Sequence, residues 1–248
     1  MMRTAEQARE DAGAAGPATA LRRLGGVLVA PVRTFRELGR AANWSDWGVP
    51  LLVSLMLLTV LTLASAPYLD VETPVREKLE AQGAPESQIQ KFVALQSKIL
   101  KKAAVPISLG AYLGVLMVLA LVYWGGTNAF GGRITFSLTL AVLSYAWLVK
   151  ILEGGLRFLS MWGGDPVRVD QVDLVLATSP AALLGAGSAG TLFFQFARTL
   201  NVFTLWSQAL LALGLAEVGG LSRGAAFGLV ILLFTFYVAG SVGLAALT

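Results

Sequence analysis

The run VPISLGAYLGVLMVLALVYW, Val105–Trp124, extends for 20 residues without a charge. A helix rises ~1.5 Å per residue, so a run of this length crosses a hydrocarbon layer of ~30 Å. Four further stretches read the same way: Gly48–Ala66, Ile134–Leu152, Val202–Ala216 and Ala225–Leu247. Val202–Ala216 is the shortest and needs its flanks, Asn201 and Glu217, among the headgroups. The fold class expected is all-α, a polytopic transmembrane helical bundle with interfacial amphipathic helices. It has five spans, near residues 48–66, 105–124, 134–152, 202–218 and 225–247.

Composition agrees and excludes much chemistry. Hydrophobic residues make up 56% of the chain and charged residues 14%, outside the usual range of a soluble domain. The chain has no His and no Cys. Imidazole bases, thiolate nucleophiles, Cys/His zinc sites and ordinary haem or iron–sulfur ligation are therefore excluded. Carboxylates are scattered rather than clustered, so neither a metal nor a cofactor is expected. The net charge of +4 suits orientation and contact with membrane lipids, not nucleic acid.

Outward from the spans, residues 1–20 are polar, Ala-rich and mixed in charge, and read as a disordered tail with no signal peptide. Residues 21–47 form an amphipathic region. Within it Leu24, Val27, Leu28, Phe35 and Leu38 gather on one side, and Pro31 divides it into two short helices. Its five arginines between Arg22 and Arg40 and the following Trp44 and Trp47 fit an interfacial helix on the cytoplasmic leaflet. Packing on the protein's own bundle is the alternative. Residues 67–104 read as a polar helical hairpin, one arm starting at Thr73-Pro74 and ending near Gly83, the second starting at Pro85.

A Gly-rich turn, Gly125–Arg133, joins spans two and three. Span three ends in Lys150, Glu153 and Arg157, one helical face on which the charges can pair at the interface. Residues 161–200 begin aqueous and continue through the uncharged Leu174–Ala197. Pro180 and several glycines favour short helices or a re-entrant segment, with a sixth span as the alternative. The string Gly185–Gly190 matches G-x-G-x-x-G but lacks the strand–helix context and acidic partner of a dinucleotide site. Gly110 and Gly114 form a G-x-x-x-G pair. Asn43-Trp-Ser45 is a formal glycosylation sequon.

Three stretches together resemble the Yip1 domain family. They are Ala30–Phe35, with Pro31, Thr34 and Phe35; Phe130–Phe136, with Gly131 and Gly132, followed by Ser144-Tyr145; and Asn201–Trp206, with Phe203, leading through Gly214 to Leu221-Ser222-Arg223. The resemblance covers roughly Leu24 to the C-terminus. It implies five spans, a cytoplasmic N-terminus in a bacterial cytoplasmic (inner) membrane and a role without catalysis. Bacterial relatives include proteins resembling accessory subunits of ABC-type export systems. The expectation is an accessory or scaffold protein binding other integral membrane proteins, ABC exporter components among them. A small transporter or channel for lipid or solute is the alternative. The interaction candidates are Pro31, Phe35, Gly131, Gly132, Tyr145, Lys150, Glu153, Asn201, Phe203 and Trp206. Asn201 stands where many bacterial members carry Asp. Its position suits a helix cap, with Trp206 one turn further in.

Overall fold

A computed structural model of the chain describes residues 16–40, 43–184 and 191–245. The helices, in order, are α1 (Pro17–Val29), α2 (Pro31–Arg40), α3 (Ser45–Ser65), α4 (Glu72–Ala81), α5 (Glu86–Ala129), α6 (Phe136–Met161), α7 (Ala181–Leu184), α8 (Leu192–Thr199), α9 (Val202–Gly219) and α10 (Arg223–Ala245). Five of them, α3, α5, α6, α9 and α10, contain segments long and apolar enough to cross a membrane.

The centre of the bundle is α6. It packs against α3, α9, α5 and α1, and 61% of its apolar window is buried, against 11% for α5. Position explains the difference, since α3 and α9 flank α6. Ala141, Ser144 and Ala146 let neighbouring helices approach closely, and Ser144 donates its hydroxyl back to Leu140 O at 2.8 Å, so that hydroxyl is satisfied. Thr135 caps α6 by accepting from Leu138 N. The helix then continues to Met161, well past the expected boundary at Leu152.

Pro31 separates α1 from α2 because a proline disfavours helical geometry in the residue before it and removes a helical N–H. Ala30 is accordingly non-helical, with φ −139° and ψ 62°. Helix α2 lies along α9. Phe35 and Leu38 are wholly buried there, so the apolar side of this amphipathic helix is covered by the bundle itself. Gly214 of α9 makes this possible. A Cβ at that position would collide with Val142 and stand 3.1 Å from the Phe35 ring. Arg36 and Arg223 both reach Glu217 at the far end of α9, at 3.2 and 3.4 Å.

The turn between α5 and α6 docks on the same end of α9. Gly131 has φ +88°, a left-handed conformation open to glycine. A Cβ on Gly132 would stand 2.9 Å from Gly219 O, and Arg133 N donates to that same oxygen at 2.8 Å.

Several sequence expectations need correction. Residues 17–20 of the expected disordered tail are the first turn of α1; residues 1–15 lie outside the described part. The second arm of the polar hairpin and span two are one helix, the 44-residue α5, ~66 Å long. Its start is set by Pro85 in extended conformation. Helix α4 starts at Glu72 rather than Pro74, because the Asp70 carboxylate accepts from the Glu72 and Thr73 amides, both at 3.1 Å. The Thr73 hydroxyl, together with these two amides, holds the Asp70 carboxyl below the usual carboxylate range. Leu174–Ala197 is divided among a 3-10 turn, α7 and α8; among the described residues it contains no helix of spanning length. Gly185–Gly190 lies outside the described residues.

The two polar loops on this side are joined by two short parallel strands, β1 (Leu69–Asp70) and β2 (Val167–Arg168). Arg168 completes the junction. It donates to both Glu77 oxygens, at 2.8 and 2.7 Å, and to Asp170.

Candidate functional site

The second half of α6 carries a carboxylate inside the protein. Glu153 is only 3% exposed. An ionised carboxylate is costly to bury unless it is paired and hydrogen-bonded. Helical spacing supplies two of the partners, since residues three and four apart lie on one face. Lys150 Nζ donates to Glu153 Oε2 at 2.6 Å and Arg157 Nη2 to Oε1 at 2.7 Å. The third partner comes from 48 residues away, where Asn201 Nδ2 donates to Oε1 at 2.9 Å.

Asn201 holds three segments together. Its Oδ1 caps α9, accepting from the amides of Phe203 (2.8 Å) and Thr204 (3.4 Å). Its Nδ2 reaches Glu153 on α6 and Thr178 Oγ1 at 2.7 Å. Val202 N donates to Thr178 O at 2.9 Å, which ties the 172–180 stretch to the start of α9. Every polar atom of the amide is engaged. An Asp here would lose both donors and set a second carboxylate beside Glu153.

Outside this knot lies a second layer of charge. Asp173 pairs with Arg157 at 2.9 Å and also with Arg198, at the end of α8. Lys150 Nζ also donates to Thr204 Oγ1 at 2.9 Å. These groups line a cavity of about 430 Å³, to which Ser179, Thr199, and Tyr237 and Ser241 of α10 also contribute. Arg157 Nε is buried and has no hydrogen-bond partner among the described residues. The sequence expectation placed the Lys150–Arg157 group at a helix end. Helix α6 instead runs two turns past Glu153, and the group forms the heart of a network built by four segments.

The remaining candidates fall elsewhere. Phe203 and Trp206 are half-buried against the core beside the network, with ring centroids 6.5 Å apart. Pro31, Phe35, Gly131 and Gly132 shape the α2–α9 contact and the α5–α6 turn. Tyr145 is wholly buried and donates to Ala20 O at 3.2 Å, fastening α1 to α6.

Close to that bond is an ion pair the sequence did not suggest. Arg23 of α1 meets Asp46 at the start of α3, and both side chains are almost wholly buried. Asp46 Oδ2 also accepts from Asn43 N at 2.8 Å. Sequence reasoning likewise missed Asp173, Thr178, Arg198 and Thr204. Their distances along the chain from Glu153 leave no periodic signal; only the Asn201–Thr204 spacing, typical of a helix cap, hinted at a partner.

Comparison with known proteins places the chain in a family. The model of the Yip1 domain matches residues 25–244, and the chain belongs to that family. It is similar to the membrane protein YknW of Bacillus subtilis (strain 168), with 25% identity over 228 residues, covering 92% of this chain and 91% of the relative. No solved structure matches the chain.

Proposed function

We propose that this Yip1 domain protein is a non-catalytic accessory or scaffold subunit of a bacterial cytoplasmic membrane, and that it binds other integral membrane proteins. The partner class is an ABC-type export system. One observation carries the reading. Helix α5 continues without interruption from its apolar span, which begins at Lys102, into a polar arm starting at Glu86. The arm is ~24 Å long and, as part of an unbroken helix, leads away from the bilayer. On it Phe92, Leu95 and Ile99 are 46%, 53% and 43% exposed, at the i, i+3, i+7 spacing of a single face. An apolar stripe outside the lipid suits a protein partner. Within the membrane, α3 and α10 also present broad apolar faces to lipid or to partner helices.

The transporter alternative lacks a comparable feature. Its charged groups gather in the second half of α6. Towards the other end α6 and α9 meet through Val142, Leu143, Ala146, Leu211, Ala212 and Leu215, all buried and apolar.

The arginines of α1 and α2 beside the first span support a cytoplasmic N-terminus, which puts the α5 arm and the Glu153 network on the outer side. A cysteine replacing Ser87 is then labelled by an impermeant thiol reagent in intact cells and one replacing Ser222 is protected; the reverse pattern inverts the orientation. For the scaffold role, gentle detergent purification followed by mass spectrometry recovers a membrane partner with the wild type. The combined change of Phe92, Leu95 and Ile99 to Ser loses it at equal folded yield. Recovery of the wild type alone would sink the proposal.

A further inference from the structure

The cavity beside Glu153 has more positive charge than its own structure consumes. Three cations line it, Lys150, Arg157 and Arg198, against two carboxylates, Glu153 and Asp173. All four carboxylate oxygens are engaged. Glu153 Oε1 accepts from Arg157 and Asn201, and its Oε2 from Lys150. Asp173 Oδ1 faces Arg157 and its Oδ2 faces Arg198. Donor capacity is left over. Among the described residues the Lys150 ammonium, with three hydrogens, has two acceptors, and Arg157 Nε has none. A cavity lined by three cations whose two carboxylates are already paired suits an anionic ligand.

The geometry points to a site for a phosphate-bearing ligand in this cavity, the phosphate held by Lys150, Arg157 and Arg198. Guanidinium groups suit phosphate oxygens because their N–H donors form a planar fork. The surroundings favour the headgroup of an anionic lipid over free phosphate. Arg198 and Thr199 at the end of α8 line the cavity, while Phe193 and Phe196 of the same helix are exposed. Tyr237 of α10, also exposed, stands at the cavity wall. A tyrosine near the end of a span suits the boundary between headgroups and acyl chains, and the two phenylalanines add an apolar surface beside it. They place apolar contacts for a lipid tail beside polar contacts for its head. The cavity, about 430 Å³, is large enough for a glycerophosphate group.

The inference is independent of the scaffold role and of which side of the membrane the cavity faces. Its test is lipid retention by the full-length protein. The chain is released from nanodiscs of mixed phosphatidylglycerol and phosphatidylcholine, and the bound lipid is counted by native mass spectrometry. The wild type retains one phosphatidylglycerol in preference to phosphatidylcholine. Arg198→Gln, at a partly exposed position, weakens that retention about tenfold, the effect of one charge-assisted hydrogen bond. Lys150→Gln acts in the same direction, and Arg33→Gln, on an exposed side chain of α2, has no effect. In a second arm, inorganic phosphate is titrated against the protein in pure phosphatidylcholine nanodiscs. Saturable thermal stabilisation that is lost in Arg198→Gln assigns the site to free phosphate; its absence, with phosphatidylglycerol retained, assigns it to the headgroup. Equal retention of both lipids together with no response to phosphate overturns the site. Unchanged binding by folded Arg198→Gln does so as well.

Discussion

Two buried carboxylates are held in this bundle by different means. Asp46 meets one guanidinium, that of Arg23, and one backbone amide, and its charge is balanced by a single partner. Glu153 meets a lysine, an arginine and an asparagine, which belong to a wider network in which cations outnumber carboxylates. The Asp46 pair closes a local contact between α1 and α3. The Glu153 network joins α6, the 172–180 stretch, α8 and α9 around an open cavity. A balanced pair is sufficient for architecture, whereas the cations in excess at the cavity are what the proposed anion site draws on.

The largest effects should come from removing either carboxylate. Asp46→Ala leaves the Arg23 guanidinium buried and unpaired, which typically costs ~3–5 kcal/mol. Glu153→Ala takes the shared acceptor from Lys150, Arg157 and Asn201, of which Lys150 and Arg157 keep some contact with solvent. Folded yield and melting temperature should fall sharply in both. Rescue separates them. Changing Arg23 to Met together with Asp46 to Leu should restore most of the stability, because a buried ion pair is often replaceable by apolar groups of similar volume. No single second change should rescue Glu153→Ala, since its three donors lie on two helices. If one does, the two sites are alike and the contrast fails.

Asn201→Ala should have an intermediate effect. A helix cap alone is worth ~1 kcal/mol. This side chain also donates to Glu153 and to Thr178, so a loss of ~2–3 kcal/mol is expected. Thermal unfolding measures it, and a loss near ~1 kcal/mol would reduce Asn201 to a simple cap.

The smallest effect belongs to the exposed Arg168 junction. Hydrogen bonds from Arg168 hold the carboxyls of Glu77 and Asp170 below the usual carboxylate range. A lowered folded-state pKa contributes stability that is present above the unfolded value and is lost as pH falls through the folded one. The junction should therefore be intact at neutral pH and loosen below pH ~4. Hydrogen exchange of residues 69–81 should rise in that window while the protected core of α6 is unchanged. In Arg168→Ala the exchange should already be raised at pH 7.

Residue types and spacing made much of the fold legible. Apolar runs of spanning length determined the five membrane helices, because a lipid-exposed backbone has to satisfy its own hydrogen bonds. Pro31 determined the break between α1 and α2 through the geometry it denies its neighbours. The spacing of Lys150, Glu153 and Arg157 determined that they share a face, and Asn201 could be read as a cap from its type and place. Their meeting could not be read. The Asn201 contact with Glu153, the Arg198–Asp173–Arg157 chain and the buried Arg23–Asp46 pair join residues far apart in sequence. Periodicity describes one helix at a time, so only the packing of α6 against its neighbours decided which charges meet and which cations retain unused donors.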